Sequence, residues 1–195
     1  EMILAVGRWV FDKDVVMCRC WVYLNPDFSL SIYVSYLQLF DPQFVDFMKE
    51  CVKNAGIHYQ NIIVEITESK FISDKELLKR VFDSVRSLGM KIAMDDFGTG
   101  YSSLGILKEA PADIVKIDKI FVRNIKDNSF DSSFIRVVVE LCHQVGIKVC
   151  LEGVEEDAEM NVVSEMDLDF IQGYLYGKPE AAEQFYQMYL QAGQA

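Results

Sequence analysis

Five times along this chain a short apolar run ends on a charged or amide side chain, and a helical pattern usually follows. The runs are Asn61–Ile66 (NIIVEI, carrying Glu65), Met90–Met94 leading to Asp95, Ala112–Ile117 (carrying Lys116) leading to Asp118, Ile147–Leu151 leading to Glu152, and Asp169–Ile171 leading to Gln172. Strands that are apolar on both faces and separated by helices predict a parallel sheet covered by helices on both sides. The intervening helices are expected from Ser73 or Asp74 to Leu88, near Asp131–Val145, near Asp157–Met166 and after Pro179, with Gly89 and Gly146 as stops. A (β/α) barrel and a flavodoxin-like open sheet both satisfy this alternation, and both gather ligands at the carboxyl ends of their strands. Periodicity alone does not separate them. In either one Glu65, Asp95, Asp96, Lys116, Asp118, Glu152 and Gln172 converge.

Ahead of this repeat, Glu1–Leu24 reads as a helix with Ile3, Val6, Val10 and Val15 at helical spacing, broken by Asn25–Pro26–Asp27. Ser29–Val34 reads as a strand. Asp41–Pro42 opens a further helix whose inner stripe is Phe44, Phe47, Met48, Cys51 and Val52, closed by Asn54–Ala55–Gly56. With 195 residues, 51% of them hydrophobic, the chain can bury a sizeable core, and one domain over residues 1–195 is the expectation.

The chemistry must come from carboxylates. A formal charge of −11 repels nucleic-acid polymers, so an anionic ligand needs metals or a few local cations. The two histidines, His58 in a turn and His143 on a helix, offer little for a histidine metal site or a Ser–His–Asp triad. Five cysteines, at 18, 20, 51, 142 and 150, form no paired CxxC motifs, and Cys18–Arg19–Cys20 reads as helix packing. Their usage suits reduced thiols in the cytoplasm. No apolar run reaches the roughly 18 residues of a membrane span, and Glu1–Gly7 lacks the basic start of a signal peptide. The expectation is a cytoplasmic chain without a membrane segment.

The stretch Lys91–Ser103 (KIAMDDFGTGYSS) puts two adjacent carboxylates at a strand end, where the chain turns into a glycine loop. Neighbouring side chains on a strand point to opposite faces, but at the change to a loop both can turn toward one pocket. A carboxylate shared between two cations about 3.5–4 Å apart is a common scaffold for in-line attack of water on a phosphoryl group. A bland Asx turn accounts for the same residues when they are taken alone. A kinase reading of Asp96–Phe97–Gly98 fails, because no glycine-rich nucleotide loop and no HRD-like catalytic loop precede it.

Five segments in order, IVEITES at 63–69, KIAMDDFGTGYSSL at 91–104, PADIVKIDKIFV at 111–122, KVCLEGVE at 148–155 and DFIQGYLYGKP at 169–179, resemble the EAL family of bacterial cyclic di-GMP phosphodiesterases. The resemblance covers nearly the whole chain. It implies an α/β fold, a TIM-like (β/α) barrel, with about six of its strands present and the first ones missing. It further implies hydrolysis of cyclic di-GMP to linear pGpG with two Mg²⁺ or Mn²⁺ ions. Carried over by position, Glu65 and Asp95 resemble ligands of the first metal, and Asp95, Asp96 and Glu152 the shell of the second. Lys116 would hold attacking water or phosphate, and Gln172 would place metal-bound water. Glu68 is similar to a glutamate that steadies the loop after the paired aspartates, and Glu155 to a supporting residue. The helix after Gly100 resembles a dimer surface, and relatives join such domains to sensor or GGDEF partners.

Two departures bear on activity. The Glu-Ala-Leu motif itself, with its metal-binding glutamate, is absent. Where the family usually reads V-N-L-S, this chain reads Ile32–Tyr33–Val34–Ser35, so a phenol replaces an amide ligand. A phenol with an unperturbed pKa near 10 is a poor ligand for a hard divalent ion, and Tyr33 is expected to serve as a barrel-filling aromatic. The reading is therefore a degenerate phosphodiesterase domain with weak or absent hydrolysis and a binding or regulatory role. The alternatives are an active enzyme with a substitute ligand, and a protein-interaction module. The missing strands would leave open edges that favour self-association.

Overall fold

The computed structural model describes residues 2–67, 75–100, 105, 107–108, 112–123, 125–126 and 129–191. Six parallel strands run in the sheet order of the chain: β1 (Leu30–Tyr33), β2 (Ile62–Thr67), β3 (Lys91–Phe97), β4 (Ile114–Ile117), β5 (Lys148–Glu152) and β6 (Phe170–Gln172). This is the expected strand set and order. Helices α1 (Met2–Leu24), α2 (Tyr36–Leu39), α3 (Phe44–Ala55), α4 (Lys75–Ser87), α5 (Ser129–Gln144), α6 (Asp157–Val163) and α7 (Ala182–Phe185) join or flank them. The expected last helix is only four α-helical residues before it widens into a π-helical segment, Tyr186–Gln191.

The chain divides into two compact units. The first is Glu1–Ile66, Glu76–Ile92 and Pro179–Ala195. Its core forms where α1 packs on α3 through Phe11 and Phe44, whose rings meet edge to face at 6.1 Å. Phe11, Val15, Cys18 and Trp21 recur every three or four residues, which is the period of one helix face. Of the four residues expected to mark that face, only Val15 is buried; Ile3 and Val6 are exposed. Val10 is partly covered. The α1 sequence carries apolar residues on two faces, and periodicity could not say which faces inward. Trp21, Phe28 and Phe185 close one end of this core. Buried Asn61 donates its side-chain amide to Pro26 O at 3.0 Å and Phe28 O at 2.7 Å, tying the turn before β1 to the entry of β2. Strands β1 and β2 pair so that Tyr33 lies opposite Glu65.

The second unit is Thr67–Lys75 and Ala93–Lys178. Strand β4 is its centre, buried at all four residues because it is flanked by β3 and β5 and covered on both faces. Helix α5 buries Ile135, Val138, Val139 and Cys142, and Phe121 stacks on Phe134 at 4.2 Å. Strand β6 pairs with β5 through Cys150–Phe170, Leu151–Ile171 and Glu152–Gln172.

Strand β3 does not end at Asp95, as the sequence suggested; it runs on through Phe97. Met94 pairs with Val115 and Phe97 with Ile117, so three steps on β3 match two on β4. The extra residue is a bulge at Asp95–Asp96, with Asp96 in the left-handed region at φ 57°. A bulge breaks the alternation of faces and re-aims side chains, which a strand-to-loop change had been expected to do.

Candidate metal centre

Strands β3, β4 and β5 each carry an acid or a lysine near the carboxyl end, in the second unit, and their registers bring these positions together. Asp95, Asp96 and Glu152 each offer a carboxylate oxygen, and these oxygens lie within 4.8 Å of one another. Lys116 reaches the same place from buried β4. Its Nζ lies 2.7 Å from Glu152 Oε1 and 3.3 Å from Asp95 Oδ1, with the lysine side chain 7% exposed. A lysine so deep persists because two carboxylates flank it.

The electrostatics of the group are unbalanced. Burial, the negative charges of Asp95 and Asp118 and a hydrogen bond with Asp118 together push the Asp96 carboxyl above its ordinary value, against the opposing charge of Lys116. Asp95 Oδ1 is buried without a hydrogen-bond donor among the described residues, since the lysine at 3.3 Å approaches outside hydrogen-bond geometry. A buried carboxylate oxygen with no donor and a neighbour held above its usual pKa both fit a divalent cation, whose charge removes both penalties. Hard carboxylate oxygens suit Mg²⁺ or Mn²⁺.

The backbone around the group is held tightly. Asp96 O accepts from Thr99 N at 3.2 Å and Thr99 Oγ1 at 2.8 Å, which closes the turn after the bulge. Asp118 Oδ1 accepts from Ile120 N at 2.8 Å, which caps a short 3-10 turn. Gly153 and Gly173 directly follow Glu152 and Gln172. A Cβ on Gly153 would run into Lys119, and one on Gly173 into the backbone of Val154. Only glycine lets these strand ends approach so closely.

The remaining expected site residues fall as follows. Gln172 is the register partner of Glu152 and is exposed. Glu155 is exposed; its amide donates to Glu159 Oε2 at 2.8 Å, as does that of Glu156 at 3.0 Å. Glu159 is the residue sequence reasoning missed. It is buried and reaches back from the third position of α6, and the spacing Glu156–x–x–Glu159 resembles a capping box. In the first unit, Glu65 is half-buried on β2 and Val34 N donates to its carbonyl at 2.9 Å. Its register partner Tyr33 is 54% exposed, so it is not the filling aromatic that was expected. Glu68 lies outside the described residues, as do residues 101–104 at the start of the expected dimer helix.

Three comparisons place this geometry among known proteins. The EAL domain family model matches residues 1–179, which spans both units. The cyclic di-GMP phosphodiesterase PdeR of Escherichia coli is 33% identical over 192 residues, 97% of this chain and 29% of PdeR. A structure of the MucR phosphodiesterase in complex with cyclic di-GMP superposes with a TM-score of 0.88 at 31% identity, covering 94% of this chain and 75% of that one; MucR is a protein of Pseudomonas aeruginosa. The Klebsiella pneumoniae BlrP1 complex with manganese and cyclic di-GMP superposes at 0.76 with 27% identity, over 91% of this chain and 44% of that one. The chain spans about a quarter of the curated relatives' length, from 24% to 29%.

Proposed function

We propose, from the premise that this chain belongs to the EAL domain family and has its TIM-like barrel fold in incomplete form, that it is a cyclic di-GMP phosphodiesterase domain reduced to weak hydrolysis and retaining metal and nucleotide binding. The observation that carries this reading is the Asp95–Asp96–Glu152 group closed around buried Lys116.

A Mg²⁺ or Mn²⁺ ion, when bound by Asp95, Asp96 and Glu152, supplies positive charge at a phosphodiester and lowers the pKa of water. The chain's own residues do the rest. Lys116 is held by two carboxylates at a fixed place, so its ammonium meets growing negative charge on phosphate without having to reorganise. A cation beside Asp96 would offset the burial and the charges of Asp95 and Asp118 that hold its carboxyl above the ordinary value. Gln172, beside Glu152, presents an exposed amide that can donate to a water or a phosphate oxygen.

Weak turnover follows from β1. Tyr33 stands opposite Glu65 where the family pattern has an amide ligand, and a phenol coordinates a hard cation poorly near neutral pH. The test is incubation of the chain with cyclic di-GMP and Mn²⁺, followed by chromatography for pGpG, beside calorimetry of Mn²⁺ and of nucleotide. Binding heats with slow turnover support the reading. Rapid turnover that Asp95→Asn abolishes would show a substitute ligand at work. No heat from either Mn²⁺ or nucleotide would reduce the chain to an interaction module.

A further inference from the structure

Two lysines stand three residues apart at the carboxyl end of β4, in opposite surroundings. Lys116 is buried and shared by Glu152 and Asp95, whereas Lys119 is exposed and, among the described residues, has no ion-pair partner. Its place is fixed all the same. Lys119 opens the 3-10 turn Lys119–Phe121, in which Phe121 N donates to Asp118 O at 3.2 Å and Val122 N to Lys119 O at 3.0 Å. Buried Phe121 and Val122 anchor that turn in the core. Gly153, at φ 78°, turns its open side to the stem of Lys119, so the lysine is rooted against the residue that follows Glu152.

The charges around this root point to a use for it. Asp95, Asp96, Asp118 and Glu152 set four formal negative charges about Lys116, whose own charge is already shared by two of them. Three remain, and one divalent cation leaves one. A ligand with two phosphodiesters then meets a positive ion at one phosphate and an acidic rim at the other, on a chain of net charge −11. Other cations of the second unit are engaged: Lys126 lies 2.6 Å from Glu156, and Lys178 lies over the Tyr174 ring at 5.6 Å. Arg123 is unpaired among the described residues, as Lys119 is, but it is the Lys119 stem that lies against Gly153.

We propose that Lys119 binds the second phosphate of a cyclic dinucleotide, the one that the cation does not hold. The inference rests on the reading of the carboxylate group as a cyclic di-GMP centre, and it adds the residue that makes two phosphates bind better than one. An ammonium meets a phosphate oxygen as a point charge, without a second donor to align. A lysine rooted in a packed turn also has less freedom to lose on binding than one on an open loop.

Calorimetry of the 195-residue chain with Mn²⁺, and then with cyclic di-GMP over a series of NaCl concentrations, tests the assignment. Lys119→Met keeps a stem against Gly153 and removes the charge, so the circular dichroism spectrum should be unchanged and Mn²⁺ should bind no more weakly. Cyclic di-GMP is expected to bind about tenfold more weakly to this variant, with an affinity that depends less on salt. Lys119→Arg should retain most of the parent's affinity. Lys53→Met, an exposed position on α3, makes the same change in net charge and should leave nucleotide binding as it is. Equal nucleotide affinity in the parent and Lys119→Met overturns the inference and leaves the reading of the site standing. An equal loss in Lys53→Met overturns it by tracing the effect to overall charge, and a loss of Mn²⁺ binding in Lys119→Met overturns it by tracing the effect to the carboxylates. A parent that binds Mn²⁺ but no nucleotide overturns the inference together with nucleotide binding itself.

Discussion

The Lys116 ammonium lies 2.7 Å from the Glu152 carboxylate, and both side chains are less than one-fifth exposed. Removing one partner of such a pair leaves the other charge buried and alone. Lys116→Met is expected to cost about 3–5 kcal/mol of stability in metal-free protein, because Asp95 and Glu152 lose their shared cation. Added Mn²⁺ should restore part of that loss, so thermal denaturation should show a larger metal-induced rise in Tm for the variant than for the parent. Equal rises in both would mean that the cation does not sit among these carboxylates.

Asp96 should show the opposite sign. Its carboxyl is held above its ordinary value of 3.8, chiefly by burial and by Asp95 and Asp118. A raised folded-state pKa contributes stability that is complete below 3.8 and lost as pH rises through the folded value. Metal-free Asp96→Asn is therefore expected to be more stable than the parent at pH 7, with the difference vanishing below about pH 3.8. In the presence of Mn²⁺ the order should reverse, since the variant loses a ligand. Denaturant melts at several pH values, with and without metal, test both statements.

Tyr33→Asn returns an amide to the position opposite Glu65. The phenol is more than half exposed, so the exchange should move stability by no more than about 0.5 kcal/mol. Turnover of cyclic di-GMP with Mn²⁺ should rise about tenfold or more, since a tenfold gain needs only about 1.4 kcal/mol in the transition state. A variant that folds like the parent and hydrolyses no faster would remove Tyr33 as the cause of weak activity.

At the start of β6, Asp169 Oδ2 accepts from Val149 N at 2.8 Å and faces His143 Nε2 at 2.9 Å. Burial alone would raise the Asp169 pKa, but the Val149 amide, His143 and Lys148 outweigh it and hold the carboxyl below its ordinary value. A depressed folded-state pKa stabilises above the unfolded value and stops doing so as pH falls through the folded one. Asp169→Asn should therefore be less stable than the parent at neutral pH, with the gap closing below about pH 3.8. Melts over a descending pH series read the difference, and a gap that does not narrow as pH falls would point to lost shape rather than lost charge.

The parts of this fold that depend on composition were legible. Apolar runs such as NIIVEI and IKVCLE became strands because few other structures bury every residue of a short segment, and all six strands appear in chain order. The meeting of Asp95, Asp96, Lys116 and Glu152 was legible too, because parallel strands deliver their carboxyl ends to one edge. What stayed hidden depends on register and on a choice between equals. Nothing local to Met94–Phe97 marks a bulge, since it exists only relative to β4. The inward face of α1 was undecided because Phe11 and Trp21 compete with Trp9 and Tyr23 on one helix. Glu159 was overlooked because a glutamate on a short helix looks like any solvated surface acid.

The extra residue in β3 also changes what kinds of alteration this strand tolerates. Met94 and Phe97 face the same way although an odd number of steps separates them. Exchanging either aspartate for asparagine removes a charge and leaves every later side chain where it was. Deleting either one would restore even stepping and leave Phe97 facing as it does, but the single remaining aspartate would then point to the face opposite Met94 and Phe97. Substitution therefore changes charge alone, whereas deletion changes where the surviving carboxylate points, so the two alterations separate the charge of this group from its geometry.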